Sequence, residues 1–416
     1  VALHRIAYLV YNEAKSISEA DFMILGPNKY FLNYISDLLP DLDIKNVSQL
    51  TFEEIAMKYM GISKVKLESK NKTLQEVLAG NVSAKVIEDK SSIAYLKLLE
   101  NFVDLYVNSH LKDDVEYEGM KICSADEIKR YLNKSVFSTD KGYAEKANQY
   151  MKILIKKVKD NSDDLTHDVW LKYREEYLGL PKNSPRRKEI LEEVDKIQKE
   201  IKKGCPTSIK NYFKFMKVNP IIIYQAFLEN LNVLVQDNHN ILKEIQDYTL
   251  SRISKKQIGF EDLSPLLLIN YCLNGIKDFK DFSYLVIDEA QDLSLAQYYV
   301  LKKLFPSAKF NVFGDVNQSI YDYQSIHDWD ELNNVIFDNK ASMLDLNKSY
   351  RTTVNISDAS NLILNHLGQN NSECVARMGD EVVTNDDISE VTLISQIKSL
   401  LDKEYQSIAI ICKDEK

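Results

Sequence analysis

Tyr284-Leu285-Val286-Ile287-Asp288-Glu289-Ala290-Gln291-Asp292 decides the fold, because four apolar residues run straight into an acidic cluster. A short apolar run rich in β-branched residues and bounded by polar ones reads as a buried strand. In parallel sheets, ligand-binding residues gather at the carboxyl ends of the strands. Adjacent carboxylates placed there suit phosphate transfer. One carboxylate of the Asp288-Glu289 pair can hold Mg2+ through its water shell while its neighbour orients or deprotonates an attacking water. The competing reading is a solvated acidic turn, and on this pair alone the two readings balance.

Downstream, Lys309-Phe310-Asn311-Val312-Phe313-Gly314-Asp315 reads as a second strand ending in an acid, and it continues as Val316-Asn317-Gln318-Ser319-Ile320-Tyr321. A glutamine at a strand end beside a triphosphate can contact the γ-phosphate or the attacking water. A third strand candidate, Ser342 to Leu346, precedes Asn347-Lys348-Ser349-Tyr350-Arg351. Arg351 can neutralise charge on a transferring phosphoryl, and Tyr350 can stack on a base. Taken singly, the plainer readings win: Arg351 as a surface cation and Tyr350 as a core aromatic.

Upstream, Phe22 to Leu25 is a short strand candidate broken by Gly26-Pro27-Asn28, and Tyr30 to Leu39 resumes at helical spacing. Asn46 to Leu50 is another short strand leading into a helix that starts with Thr51. From about Glu53 to Phe260 helix dominates. Tyr95, Leu99, Phe102, Val103 and Tyr106 share one face, and Ser124 to Glu127 forms a capping box after the strand-like Val115 to Cys123. Ser184 to Lys203 spaces Ile190, Val194, Ile197 and Ile201 like a coiled-coil seam. Its seven basic and five acidic residues favour a solvated helix over a basic docking surface. Strand–helix alternation returns near Asp262, with helices at Pro265 to Gly275, Leu295 to Leu304 and Val354 to Leu367, and a last strand candidate at Ser407 to Cys412. The fold class is therefore α/β, a parallel sheet split by a large, mostly helical insertion, followed by the start of a second α/β domain.

The 416 residues are 44% hydrophobic and 28% charged, which excludes wholesale disorder. The net charge of −9 argues against a protein that lives mainly on phosphate contacts, so any nucleic-acid contact must be a local patch. Five scattered cysteines (Cys123, Cys205, Cys272, Cys374, Cys412) fit free thiols in a reducing cytoplasm. No run of about 18 apolar residues is present to cross a membrane. The six histidines do not cluster at ligand spacing, and no G-x-S-x-G elbow is present.

The ordered set Asp288 to Asp292, Gly314 to Tyr321 and Leu346 to Arg351 resembles motifs two, three and four of superfamily-one helicases of the UvrD/Rep type. Ile24-Leu25-Gly26-Pro27-Asn28 with the following helix, and Val47 to Ala56, resemble motifs Ia and Ib. The resemblance is strongest to the HelD-type ATPases that recycle bacterial RNA polymerase. They share the LGPN-x-x-FL-x-YI, GD-x-NQSIY and SYR runs and a helical insert in the first RecA-like domain. The resemblance implies a RecA-like domain in two parts (1–52 and 262–346), an insertion (53–261) and the opening of a second RecA-like domain (347–416). It implies ATP and Mg2+ as cofactors, with Asp288 holding the metal through water, Glu289 as catalytic base, Gln318 as γ-phosphate sensor, Arg351 on the γ-phosphate and Tyr350 near adenine. Asn28 and Thr51, in motifs Ia and Ib, fall where nucleic acid is bound. Tyr323 falls where an aromatic stacks on single-stranded DNA, or else it packs beside Tyr321 and Trp329.

Two departures stand out. The 416 residues contain no G-x-x-x-x-G-K-[ST], and Leu3, Ile6, Ala7 and Val10 form a helical pattern that starts without a cap. The chain is therefore expected to be a fragment beginning just past the phosphate-binding loop and cut again at Lys416, inactive by itself. After Tyr323, Gln324-Ser325-Ile326 stands where strand-separating relatives carry Arg-Gly-Ala. The leading expectation is a cytoplasmic ATP-driven motor that releases RNA polymerase from nucleic acid. The alternatives are a DNA-translocating repair helicase and a non-hydrolysing polymerase-binding module.

Overall fold

The computed structural model describes residues 2–12, 17–61, 65–118, 120–133, 141–160, 167–235, 239–276, 282–346, 348–386 and 389–411. Val1, Asn347 and Cys412, on which the sequence reading drew, lie outside them. The chain divides into two compact units, residues 1–340 and 341–416.

The first unit is built on four parallel strands, β1 (Phe22–Gly26), β2 (Ser48–Thr51), β3 (Tyr284–Ile287) and β4 (Lys309–Val312), in spatial order β2-β1-β3-β4. Leu25 of β1 lies opposite Ile287 of β3, although the whole insertion separates them in sequence. The period-two alternation of strands divides the core into two layers. Phe22, Ile24, Tyr284 and Val286 pack on one face with α1 (Ala2–Asn12) and α2 (Lys29–Leu38), where the Phe22 and Tyr284 rings stack at 4.6 Å. Met23, Leu25, Leu285 and Ile287 turn to the other face and join the core shared with the insertion. On α1 the buried stripe is Ala2, Ile6 and Leu9, while Leu3, Ala7 and Val10 are only partly covered. The helix is rotated from the expected face because Leu9 faces the sheet.

The helix α3 (Phe52–Met60) follows β2 directly and starts on a Thr51–Glu54 capping box. The insertion then leaves the sheet, and a short parallel pair, Lys66–Leu67 against Gln257–Ile258, closes its base. Its elements include α4 (Lys70–Leu78), α5 (Ile93–His110) and the long α6 (Pro185–Tyr212). The expected face of α5 is buried except for Tyr106, which is half-buried. On α6 the seam residues Ile190, Val194 and Ile201 are buried, and Cys205 and Ile209 carry the stripe past Lys203. The stretch from Val115 to Cys123 is an antiparallel hairpin rather than a single strand. The connector α7 (Leu263–Asn274) buries nine of its twelve residues, as a helix that is apolar all round must.

Where the insertion folds back, Lys90 is fully enclosed, with Nζ 2.5 Å from Asp262 Oδ1 and 2.9 Å from Thr249 Oγ1. Arg252 Nη1 lies 2.8 Å from Glu261 Oε1, and its Nε lies 3.1 Å from Glu68 Oε2. Charges this deep are tolerated because each cation meets a carboxylate.

In the second unit, Lys348–Ser349 pairs in parallel with Glu373–Cys374, beside the helix Val354–His366, and a further helix spans Glu390–Asp402. Residues 342–346, expected as a strand, are exposed and form no ladder, and 407–411 likewise form none. An apolar run becomes a strand only where a neighbour takes its N–H and C=O groups, and among the described residues neither run has one. Cys123, Cys205, Cys272 and Cys374 are free thiols. No described helix is long and apolar enough to cross a membrane.

Candidate nucleotide site at the carboxyl edge of the sheet

Asp288 and Glu289 sit where β3 runs out. Asp288 N–H donates to Leu25 C=O (3.1 Å), the last rung between β1 and β3. Its Oδ1 then accepts from Glu289 N–H at 3.1 Å. Glu289 adopts a left-handed backbone (φ 49°, ψ 45°), a conformation that a glutamate seldom takes and that aims its side chain off the strand line. Glu289 Oε2 accepts from Gln291 Nε2 at 2.9 Å. Burial pushes the Asp288 carboxyl above its ordinary range, and the neighbouring Glu289 charge adds to this, against the Glu289 N–H bond. The burial of Asp292 pushes its carboxyl up in the same direction, while Lys70 opposes.

The end of β4 lies alongside. Ala290 N–H donates to Phe313 C=O and Phe313 N–H to Ile287 C=O, at 2.9 and 2.8 Å, which locks the two strand ends together. Gly314 passes so close that a Cβ there would lie 2.4 Å from Gln291 Oε1 and 2.9 Å from Ala290 N. Asp315 N–H donates to Gln291 Oε1 at 3.0 Å, and Asp315 Oδ2 accepts from Gln318 Nε2 at 2.9 Å. Gln318 is exposed, so its amide is accessible to a ligand. The structure thus brings Asp288, Glu289 and Gln318 to one sheet edge.

A narrow cleft runs from this edge past Thr51 and Glu53 to Lys70, the first residue of α4. Lys70 Nζ donates to Asp292 C=O at 3.2 Å and lies 4.3 Å from the Phe260 ring centroid. Burial pushes its ammonium down to about 8, against the pull of Asp292 and Glu53. Next to it, Asn71 Oδ1 accepts from the Tyr321 hydroxyl at 2.9 Å. The insertion therefore touches both acidic segments through two consecutive residues. Neither Lys70 nor Asn71 stands out in the sequence, where a Lys-Asn pair opening a polar helix gives no signal. Gln291 and Gly314 stood inside quoted motifs without a role.

The expected nucleic-acid residues divide. Asn28 is exposed at the start of α2, with Oδ1 accepting from Phe31 N–H at 2.9 Å as an N-cap. Thr51 is buried, and its hydroxyl caps α3 through Glu54 N–H (3.2 Å), which turns it away from a ligand. Tyr323 is half-buried, packs on the core and has its hydroxyl enclosed without a partner, which supports the packing alternative over a stacking platform. Tyr350 and Arg351 are both exposed in the second unit.

The donor set at the edge is oxygen-only and half-buried, which suits Mg2+ held by one carboxylate with water and phosphate oxygens completing the shell. Among the described residues no group of three or more His, Cys, Asp or Glu forms an all-protein metal cage, consistent with that sparse mode.

A parallel sheet with these strand ends, split by a helical insertion, is a RecA-type helicase domain. Residues 35–327 match the UvrD/REP helicase N-terminal domain, and the chain belongs to that family. Over 92 residues it is 37% identical to the ATP-dependent DNA helicase PcrA of Leuconostoc citreum, covering 21% of this chain and 12% of that relative. Over 135 residues it is 32% identical to the ATP-dependent DNA helicase Rep of Buchnera aphidicola subsp. Schizaphis graminum, covering 30% and 20%. Over 212 residues it is 25% identical to an ATP-dependent helicase/nuclease of Anoxybacillus flavithermus, covering 45% and 17%. The chain thus spans no more than a fifth of the length of these relatives.

Proposed function

We propose that this chain is the nucleotide-hydrolysing part of an ATP-driven, DNA-translocating helicase of the UvrD/Rep type, working in the cytoplasm. The observation that carries the reading is the meeting of Asp288 and Glu289 with the Gly314–Gln318 segment at one sheet edge. Bound Mg2+·ATP supplies the phosphoryl group and the divalent charge. Asp288 would hold the metal through water, and Glu289 would take the proton of the attacking water. Gln318 would hydrogen-bond to the γ-phosphate and register its loss, and the family resemblance gives Arg351 the role of neutralising the transferring charge and Tyr350 that of stacking near the base. Asn28 remains the best-placed nucleic-acid contact, since its side chain is exposed where Thr51 and Tyr323 are covered.

DNA takes precedence over RNA polymerase as the partner. The relatives above are named as DNA helicases and as a helicase/nuclease, and the polymerase reading rests on the HelD-type resemblance and the acidic net charge alone. No G-x-x-x-x-G-K-[ST] phosphate loop is among these 416 residues. The test is ATP turnover by the intact protein with and without single-stranded DNA. The expected result is stimulation by DNA, lowered about 10^2- to 10^4-fold by Glu289→Gln with DNA binding retained. Stimulation by RNA polymerase but not by DNA would move the reading to polymerase release. Absence of turnover would leave a non-hydrolysing binding module.

A further inference from the structure

Glu289 and Gln318 do not touch, yet a continuous chain of hydrogen bonds joins them. Gln318 Nε2 donates to Asp315 Oδ2 (2.9 Å), and Asp315 N–H donates to Gln291 Oε1 (3.0 Å). Gln291 Nε2 in turn donates to Glu289 Oε2 (2.9 Å). The middle member is the informative one. Gln291 is 2% exposed, so its amide has given up water and depends on these two partners. Both ends of the amide are used, one as donor and one as acceptor, which fixes its orientation. Gly314 leaves room for it, because any Cβ there would fall 2.4 Å from the Gln291 oxygen.

We infer that Gln291 is a positioning residue that holds the Glu289 carboxylate for proton abstraction and transmits to it the position of the Gly314–Gln318 segment. This rests on the ATPase reading above. A neutral amide suits the task. It donates one hydrogen bond to Glu289 Oε2 and so fixes where that oxygen sits, without contributing a charge of its own. Accepting from Asp315 N–H polarises the amide and strengthens its N–H donor, so a shift of Asp315 is felt at Glu289 Oε2. Displacement of the Gln318 side chain by a phosphate pulls on Asp315 first, then on this contact.

The experiment measures ATP turnover by the intact protein carrying Gln291→Met, Gln291→Glu or Gly314→Ala, with circular dichroism to confirm folding. Gln291→Met keeps the volume and removes both bonds. It lowers kcat by about 10- to 100-fold with KM for ATP nearly unchanged, since a misplaced base affects chemistry rather than binding. Gln291→Glu keeps the acceptor for Asp315 but sets a second carboxylate against Glu289. It lowers kcat as Gln291→Met does, with KM for ATP nearly unchanged, because the donor to Glu289 Oε2 is lost. Gly314→Ala perturbs the same contact from the opposite side and reproduces the kcat loss if Gln291→Met fails to fold. Turnover that Glu289→Gln abolishes but Gln291→Met, Gln291→Glu and Gly314→Ala leave intact overturns the relay alone. Absence of turnover in the unaltered protein overturns the ATPase reading and the relay with it.

Discussion

Asp288 shows how a side chain suited to a metal is costly without one. Burial lifts its carboxyl, so the folded chain holds that proton more tightly than the unfolded chain does. Between the ordinary carboxylate range and the raised value, the native state binds more protons, and stability therefore falls as pH rises through that window. At neutral pH the ionised group is a standing penalty, which a bound cation relieves. Glu53 and Asp292 along the same edge are raised in the same direction, again by burial first. Asp288→Asn is accordingly expected to raise the melting temperature of the metal-free protein at pH 7 and to leave it unchanged at a pH below the ordinary aspartate range. The same variant loses the stabilisation that Mg2+·ATP gives the unaltered protein. Thermal melts across pH, with and without Mg2+·ATP, check both halves. A variant that melts lower than the wild type at neutral pH without metal would show that Asp288 is held by its hydrogen bonds rather than strained by burial.

At the scale of elements, the insertion is coupled to the site by the start of α4. Asn71 meets the Tyr321 hydroxyl, and Lys70 meets the Asp292 carbonyl. Tyr321→Phe removes one partner of the first contact and Asn71→Ala the other. A half-buried hydrogen bond of this kind is worth about 1 kcal/mol, so the pair is expected to be non-additive by roughly that amount in urea unfolding. Additive variants would show that the contact carries no coupling. This junction also marks the limit of what the sequence discloses. The parallel strands were legible because their apolar runs end in Gly-Pro, Asp-Glu and Gly-Asp, and the seam of α6 because its isoleucines repeat at helical spacing. Asp288, Glu289 and Gln318 were legible as ordered motifs. The partners that hold them were not, since Gln291 bridges two strand ends that only the sheet order brings side by side. Ser342 to Leu346 misled because it has a strand's composition but no neighbouring strand among the described residues. Thr51 misled in another way, since its hydroxyl serves its own helix.

For the molecule as a whole, charge decides how the proposed DNA partner would be held. A net charge of −9 repels a polyanion at long range, so association gains nothing from the protein's overall field. Binding to single-stranded DNA then depends on a few local cations and on stacking. Each phosphate neutralised releases counterions, and for single strands log K falls with log salt at about −0.7 per contact. A site with four or five contacts is therefore expected to lose about 50- to 130-fold in affinity between 50 and 200 mM salt. Because the long-range field is unfavourable, the DNA concentration that half-activates ATP turnover should rise by a similar factor while the maximal rate stays constant. Titrating single-stranded DNA into the ATPase assay at the two salt concentrations measures this directly. A half-activating concentration that barely moves with salt would mean that phosphate contacts do not hold the activator. The acidic surface would then have to be explained by a basic protein partner, and RNA polymerase would return to first place.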